Sequence, residues 1–204
     1  MNRQIVKIFS VMLVGGFSSS LSATDVSSFD IKGIRLGMDK GEVLKRIPCS
    51  NYEKKYYRFR NAKNEVYSSQ YYCGKPGTGT DNSFLVNFDH NNYVFSITKR
   101  ITFDIQPNLS KIKSKLIKRY GKPNTDKRAW SKGSYYRYEY CWGDCSLSSN
   151  RRKLSVDYSY YSDYNNIDIT LYDYARQKNN DDWTAQRQKI LIYKKEKEVS
   201  NIDF

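Results

Sequence analysis

Ile34-Arg35-Leu36-Gly37-Met38-Asp39-Lys40-Gly41-Glu42-Val43-Leu44-Lys45-Arg46-Ile47-Pro48 spells out the start and the stop of a helix. Asp39 can accept from the unpaired N–H groups of a first turn. Glu42 stands three residues on, as in a capping box, and Met38 ahead of the cap can pack against Val43. Val43, Leu44 and Ile47 then form one apolar face, and Pro48 ends the helix. Before it, residues 31–36 read as a short strand or extended segment feeding the helix and 24–29 as a polar lead-in.

Toward the N-terminus, Arg3 and Lys7 flank an apolar run from Ile8 to Phe17. Ser18-Ser19-Ser20-Leu21-Ser22-Ala23 follows, completing the layout of a secretory signal peptide. The run is shorter than a membrane-spanning helix needs, so cleavage after Ser22 or Ala23 is expected, with a retained anchor as the alternative. No cysteine follows the run to carry a lipid, and no later stretch reaches transmembrane length. The expected product is periplasmic or secreted and not transmembrane after cleavage.

All four cysteines, Cys49, Cys73, Cys141 and Cys145, lie beyond that segment, and four cysteines allow three connectivities. Export favours structural disulfides. The preferred pairing is Cys49 with Cys73, tying the end of the first helix to a strand, and Cys141 with Cys145, closing a turn. A metal site is the weaker reading, because Cys-x-x-x-Cys stands alone beside a single histidine; no metal and no cofactor are expected.

Downstream of Pro48 come aromatic runs of period two at residues 55–60, 65–73, 83–88 and 93–103, separated by turn-forming stretches such as Asn61-Ala62-Lys63-Asn64 and Asp89-His90-Asn91-Asn92. Leu109, Ile112, Leu116, Ile117 and Tyr120 mark a second helix, ended by Gly121 and Pro123. Strands resume at 134–142, 153–161 and 167–172. A polar helix over 180–198 closes the chain, with Trp183, Ile190 and Leu191 as its apolar contacts.

The two halves align on each other. Tyr72-Cys73-Gly74 matches Tyr140-Cys141-Trp142-Gly143, Phe84-Leu85-Val86-Asn87-Phe88 matches Leu154-Ser155-Val156-Asp157-Tyr158, and Ser96-Ile97-Thr98 matches Asp168-Ile169-Thr170. Three blocks in one order predict an α+β chain of two tandem helix-plus-antiparallel-sheet repeats with a C-terminal polar helix. The expected divisions are 1–23 signal peptide, 24–103 first repeat, 104–175 second repeat and 176–204 helix and tail.

Gly37-Met38-Asp39-x-x-Glu42-Val43 after a short extended segment resembles the Gly-Met-Ser/Thr-x-x-Glu/Gln-Val signature of the BamE/SmpA outer-membrane lipoproteins. Two such units in tandem, stapled by disulfides, look like the architecture of the secreted β-lactamase inhibitor proteins. The resemblance covers about fifteen residues of helix-capping chemistry. It implies a fold and contact with other proteins, and carries over no functional residue.

For catalysis, His90 is the only histidine and sits in a turn-like context, so it reads as a solvated turn residue. No Gly-x-Ser-x-Gly, phosphate-cradling loop or metal-binding His/Glu pair occurs. Glu139, Asp157 and Asp168 fall on predicted strands and would serve a wall-glycan hydrolase only as an acid and base pair. What exceeds background is tyrosine, 19 residues concentrated on strands. In Tyr135 to Trp142, period two puts Tyr136, Tyr138, Tyr140 and Trp142 on one face and Tyr135, Arg137, Glu139 and Cys141 on the other. One face covers helices; the other is free for Tyr and Arg, the residues that carry most energy at protein interfaces.

The candidate binding residues are Tyr135, Arg137, Tyr138, Arg58, Arg60 and Tyr161, with no catalytic residue. A net charge of +14 implies an acidic partner. The leading expectation is an exported, non-enzymatic protein-binding module of inhibitor, immunity or envelope-assembly type. A binder of anionic envelope polymer or membrane surface is the alternative, and nucleic acid is disfavoured by export. Lys111, Lys113, Lys115, Lys118, Arg119 and Lys122 read as the solvated face of the second helix.

Overall fold

Asp39 caps helix α1 (Lys40–Arg46), its Oδ1 accepting from the Gly41 N–H at 2.7 Å. Glu42 does not complete the capping box; its carboxylate pairs with Arg46 one turn on. Val43 is fully buried, whereas Leu44 is 44% exposed, so the expected three-residue apolar face narrows to Val43 and the half-buried Ile47. The computed structural model describes residues 24–47, 49, 53–61, 63–74, 82–132, 135–146, 151–161 and 164–200. The expected signal peptide at 1–23 and the stop at Pro48 lie outside them.

After α1 come β1 (Glu53–Arg60), β2 (Val66–Gly74), β3 (Phe84–Phe88), β4 (Val94–Phe103), α2 (Leu109–Tyr120), β5 (Thr125–Lys132), β6 (Tyr135–Gly143), β7 (Arg152–Tyr161), β8 (Tyr164–Asp173) and α3 (Tyr174–Ser200). The strands form a single antiparallel sheet in the order β1-β2-β3-β4-β8-β7-β6-β5. The expected two tandem helix-plus-sheet repeats are therefore replaced by one eight-stranded antiparallel sheet with three helices. The finding that overturns them is the β4–β8 ladder, in which Ser96 pairs with Tyr172 and the pairing continues without a break to Phe103 with Asn165. That ladder makes the eight strands one element with one core.

The segment before α1 is bonded into this sheet. Gly37 N–H donates to Val94 O at 2.8 Å, and Val94 N–H returns to Met38 O at 3.0 Å. Residues 31–36 do not run as a strand: Ile31 and Ile34 bond each other across a turn whose Lys32 and Gly33 take positive φ. Nor is the lead-in wholly polar, since Val26 is buried and the Phe29 ring lies 5.1 Å from that of Tyr120.

Helix α2 matches its expected bounds. Asn108 caps it by accepting from the Lys111 N–H, and Gly121 ends it at φ +79. Leu116 and Tyr120 are buried and Ile117 turns outward. The seam to the sheet is polar as well as apolar: Trp142 is fully buried and its indole N–H donates to Gly121 O at 2.8 Å. Cys49 pairs with Cys73 and Cys141 with Cys145, at Cα separations of 6.0 and 5.9 Å. Gly143 holds φ +84, and a Cβ there would stand 2.6 Å from Arg152 O.

Two stability outcomes follow in urea denaturation. Closing a loop of 24 residues, the Cys49–Cys73 bond contributes roughly 3 kcal/mol in the chain-entropy picture, so Cys49→Ser with Cys73→Ser lowers unfolding free energy by about that much; the paired Cys141/Cys145 change lowers it less. Gly143→Ala destabilises by more than about 1 kcal/mol, because its conformation and the neighbouring carbonyl both exclude a side chain. A neutral Gly143→Ala variant would contradict the placement of β6 against β7.

Candidate functional site: the uncovered sheet face

Residues directly opposite on neighbouring strands share a face, so the registers sort the whole sheet into two sides. One row runs Tyr56, Tyr71, Val86, Ile97, Leu171, Leu154, Trp142 across β1, β2, β3, β4, β8, β7 and β6. This side meets α1, α2 and the 24–38 segment: Val43, Leu116, Tyr120, Ile34 and Met38 pack into the same cluster as Val86, Ile97 and Leu171.

The opposite side is polar at its centre. Arg100, Asp168, Asp157, Glu139 and Lys127 stand in one register row over β4, β8, β7, β6 and β5. Three carboxylates side by side repel, and cations compensate them. Arg100 makes a two-pronged contact with Asp168 at 2.7 and 2.8 Å, Arg137 from the next row reaches Asp157 at 2.7 Å, and Lys127 lies 3.9 Å from Glu139. Beside them Thr98 and Thr170 exchange a hydroxyl bond at 3.2 Å. The row brings together Glu139, Asp157 and Asp168, the carboxylates a hydrolase reading would draw on, and each faces a cation. Among the described residues, no group of three or more His, Cys, Asp or Glu is placed to hold a metal ion.

Aromatic side chains occupy the margins of this side. On β1, Tyr57 and Phe59 pair with Gln70 and Ser68, are 43% and 40% exposed, and Phe59 lies 6.4 Å from Tyr67 ring to ring. From the central strand β8, α3 folds back over this side against β2 and β4, leaving the β1 margin and the β7–β5 part of the ladder to solvent. Tyr172 packs 4.3 Å from Tyr174 and 6.3 Å from Phe95. Burial, with the added negative potential of Tyr174 and Asp181, pushes the Tyr172 phenol up to about 12.

Helix α3 is fastened across the β3–β4 turn. Arg176 pairs with Asp89 at 2.8 Å, Asn180 Oδ1 accepts from the His90 N–H at 2.8 Å and faces His90 Nδ1 at 3.0 Å, and Trp183 stacks on the imidazole at 4.5 Å. His90 is thus half-buried in a joint, not a solvated turn residue. The helix begins at Tyr174, earlier than residue 180, and Trp183 is the expected contact it makes; Ile190 is 45% exposed and Leu191 half-buried.

The six candidate binding residues do not gather. Arg137 is on the uncovered side, while Tyr138 is half-buried on the helix side, 6.5 Å from the Tyr158 ring. Arg58 shares the helix side with Ser69 at the far edge of the sheet and lies over the Tyr56 ring at 5.4 Å; Arg60 donates to Asn64 O at 2.5 Å. The backbones of Tyr135 and Tyr161 pair with Lys132 and Tyr164, and their side chains lie outside the described residues. Tyr57 and Phe59 were missed. The period-two rule applied to β1, anchored by Cys73 on the helix side, places them on the open side.

No protein-family model, curated protein or solved structure matches the chain.

Alkaline titration reads these environments. Burial raises Tyr71, Tyr120, Tyr140, Tyr158 and Tyr172 above the ordinary phenol. For Tyr56, burial is the largest single effect and raises the phenol, but the combined hydrogen bonding and charge of its neighbours, Lys40 foremost with Ser69 and Arg58, hold it below. A raised phenol keeps its proton in the folded state after the unfolded chain has lost it, so its stabilisation is complete below pH ~10 and is lost as pH rises toward about 12. Absorbance at high pH should show a late step that disappears in Tyr172→Phe; an unchanged late step would place Tyr172 in solvent.

Proposed function

We propose that this chain is an exported, non-enzymatic module that binds another protein through the sheet side left uncovered by α1 and α2. The observation that carries the reading is the combination, on that one side, of half-exposed Tyr57 and Phe59 with a ladder of internally compensated ion pairs. Large rings held on a strand supply buried area at low entropic cost. A compensated ladder supplies register without leaving a bare charge to desolvate. Two cysteine pairs at bonding distance are compatible with an oxidising compartment, and no described helix is long and apolar enough to cross a membrane.

The charge of +14 and the exposed Lys111, Lys115 and Lys118 of α2 favour a second reading, adsorption to an anionic envelope polymer or membrane surface. Salt separates the two. The full chain, immobilised and challenged with an envelope extract, should retain a protein at about 0.5 M salt, where screening acts beyond roughly 4 Å. Tyr57→Ala with Phe59→Ala should reduce recovery about tenfold or more. Collapse of all binding at that salt selects the polymer reading, and turnover on a panel of wall glycans would replace both with a hydrolase.

A further inference from the structure

Strand β1 is the first strand of the sheet order, and among the described residues it pairs on one side only, with β2. Its outer backbone groups form a template for another strand. The two sides of that strand differ in chemistry. Toward the open side it presents Tyr57 and Phe59, with Lys55 at the strand's start; toward the helix side it presents Arg58 and, past the bulge, Arg60, both exposed. Among the described residues no carboxylate stands at ion-pair distance from Arg58 or Arg60, in contrast to Arg100 and Arg137.

We infer that the β1 edge takes an extended segment of the partner protein in which acidic and apolar residues alternate. This rests on the protein-binding reading above and names the partner's chemistry. A strand laid beside β1 also alternates its side chains between the two sides. Residues of one parity meet the guanidinium groups of Arg58 and Arg60, and those of the other parity meet the rings of Tyr57 and Phe59. The sequence Glu-Val-Glu-Tyr repeated in any similar form satisfies both; an acidic block or an apolar block satisfies one and opposes the other. A second copy of this chain is a poor occupant, because antiparallel pairing of β1 with itself sets the same cations against each other.

The test uses the full chain and three labelled peptides: one alternating Glu and Val about a central Tyr, one with the same residues in blocks, and one with Lys replacing Glu. Fluorescence anisotropy should show the alternating acidic peptide binding about tenfold or more tightly than either control. Hydrogen exchange should slow at the amides of 53–60. Arg58→Glu with Arg60→Glu should shift the preference to the Lys peptide, with a retained cooperative thermal transition, lowered by the lost Arg60 bond to Asn64 O, showing that the variant is folded. Equal binding of the block peptide, unchanged exchange over 53–60, or an unaltered preference in the double variant would each overturn the edge assignment. Recovery of the same envelope protein by wild type and double variant alike would also overturn it while leaving the open-face reading in place; recovery of none by either defeats the reading itself.

Discussion

The paired backbones of β4 and β8 hold the molecule together, because they bond residues drawn from opposite halves of the chain. Ile97 meets Leu171 there on the core side, while Thr98 meets Thr170 and Arg100 meets Asp168 on the other. Without that ladder each group of four strands would end in an open edge and each would need its own apolar cover. With it, a single row of side chains from Tyr71 to Trp142 runs beneath α1 and α2, and Trp142 reaches across to the end of α2 through Gly121 O. The β4–β8 contacts join residues about 70 positions apart in the chain, so the seam adds long-range pairing that neither half makes alone.

The same parity that builds the core also assigns chemistry to the outer side. Within β1, Tyr56 turns inward to Lys40 of α1 while Tyr57 turns outward. Within β6, Tyr140 and Trp142 turn inward while Arg137 and Glu139 turn outward to Asp157 and Lys127. The tyrosines therefore divide into those that fill space against the helices, such as Tyr71, Tyr140 and Tyr158, and those such as Tyr57 at the β1 margin that remain accessible. A one-residue slip in any strand would exchange these roles and expose the core row.

Much of this was legible in the chain. The α2 stripe with its Gly121 stop, the cysteine pairing, and the two-faced alternation of β6 all follow from local periodicity and local chemistry, whereas the Asn108 cap and the choice of inward face come from the folded structure. Other features depend on partners that local pattern does not name. Strand β5, Thr-Asp-Lys-Arg-Ala-Trp-Ser-Lys, has no apolar alternation; only Gly133-Ser134 between paired Lys132 and Tyr135 hints at a hairpin. The meeting of β4 with β8 is a tertiary choice between strand edges that each read equally well alone. Arg58 and Arg60 were grouped with Arg137 by residue type, although register sets Arg58 on the opposite side and both at the far edge. At α1, capping chemistry located the helix correctly, while packing into the shared core decided that Val43 and not Leu44 faces inward.

Helix α3 joins the body through a short span, from Arg176 on Asp89 to Trp183 on His90. Beyond it the helix continues at about 1.5 Å per residue through Ile192 and Tyr193, 57% and 67% exposed, and the exposed Lys194 and Lys195. A trypsin-like protease meets those lysines before any strand opens. Limited digestion is therefore expected to shorten this end of the helix and leave the sheet in place, since among the described residues the ion pair, hydrogen bonds and ring stack that fasten α3 all lie at or before Trp183.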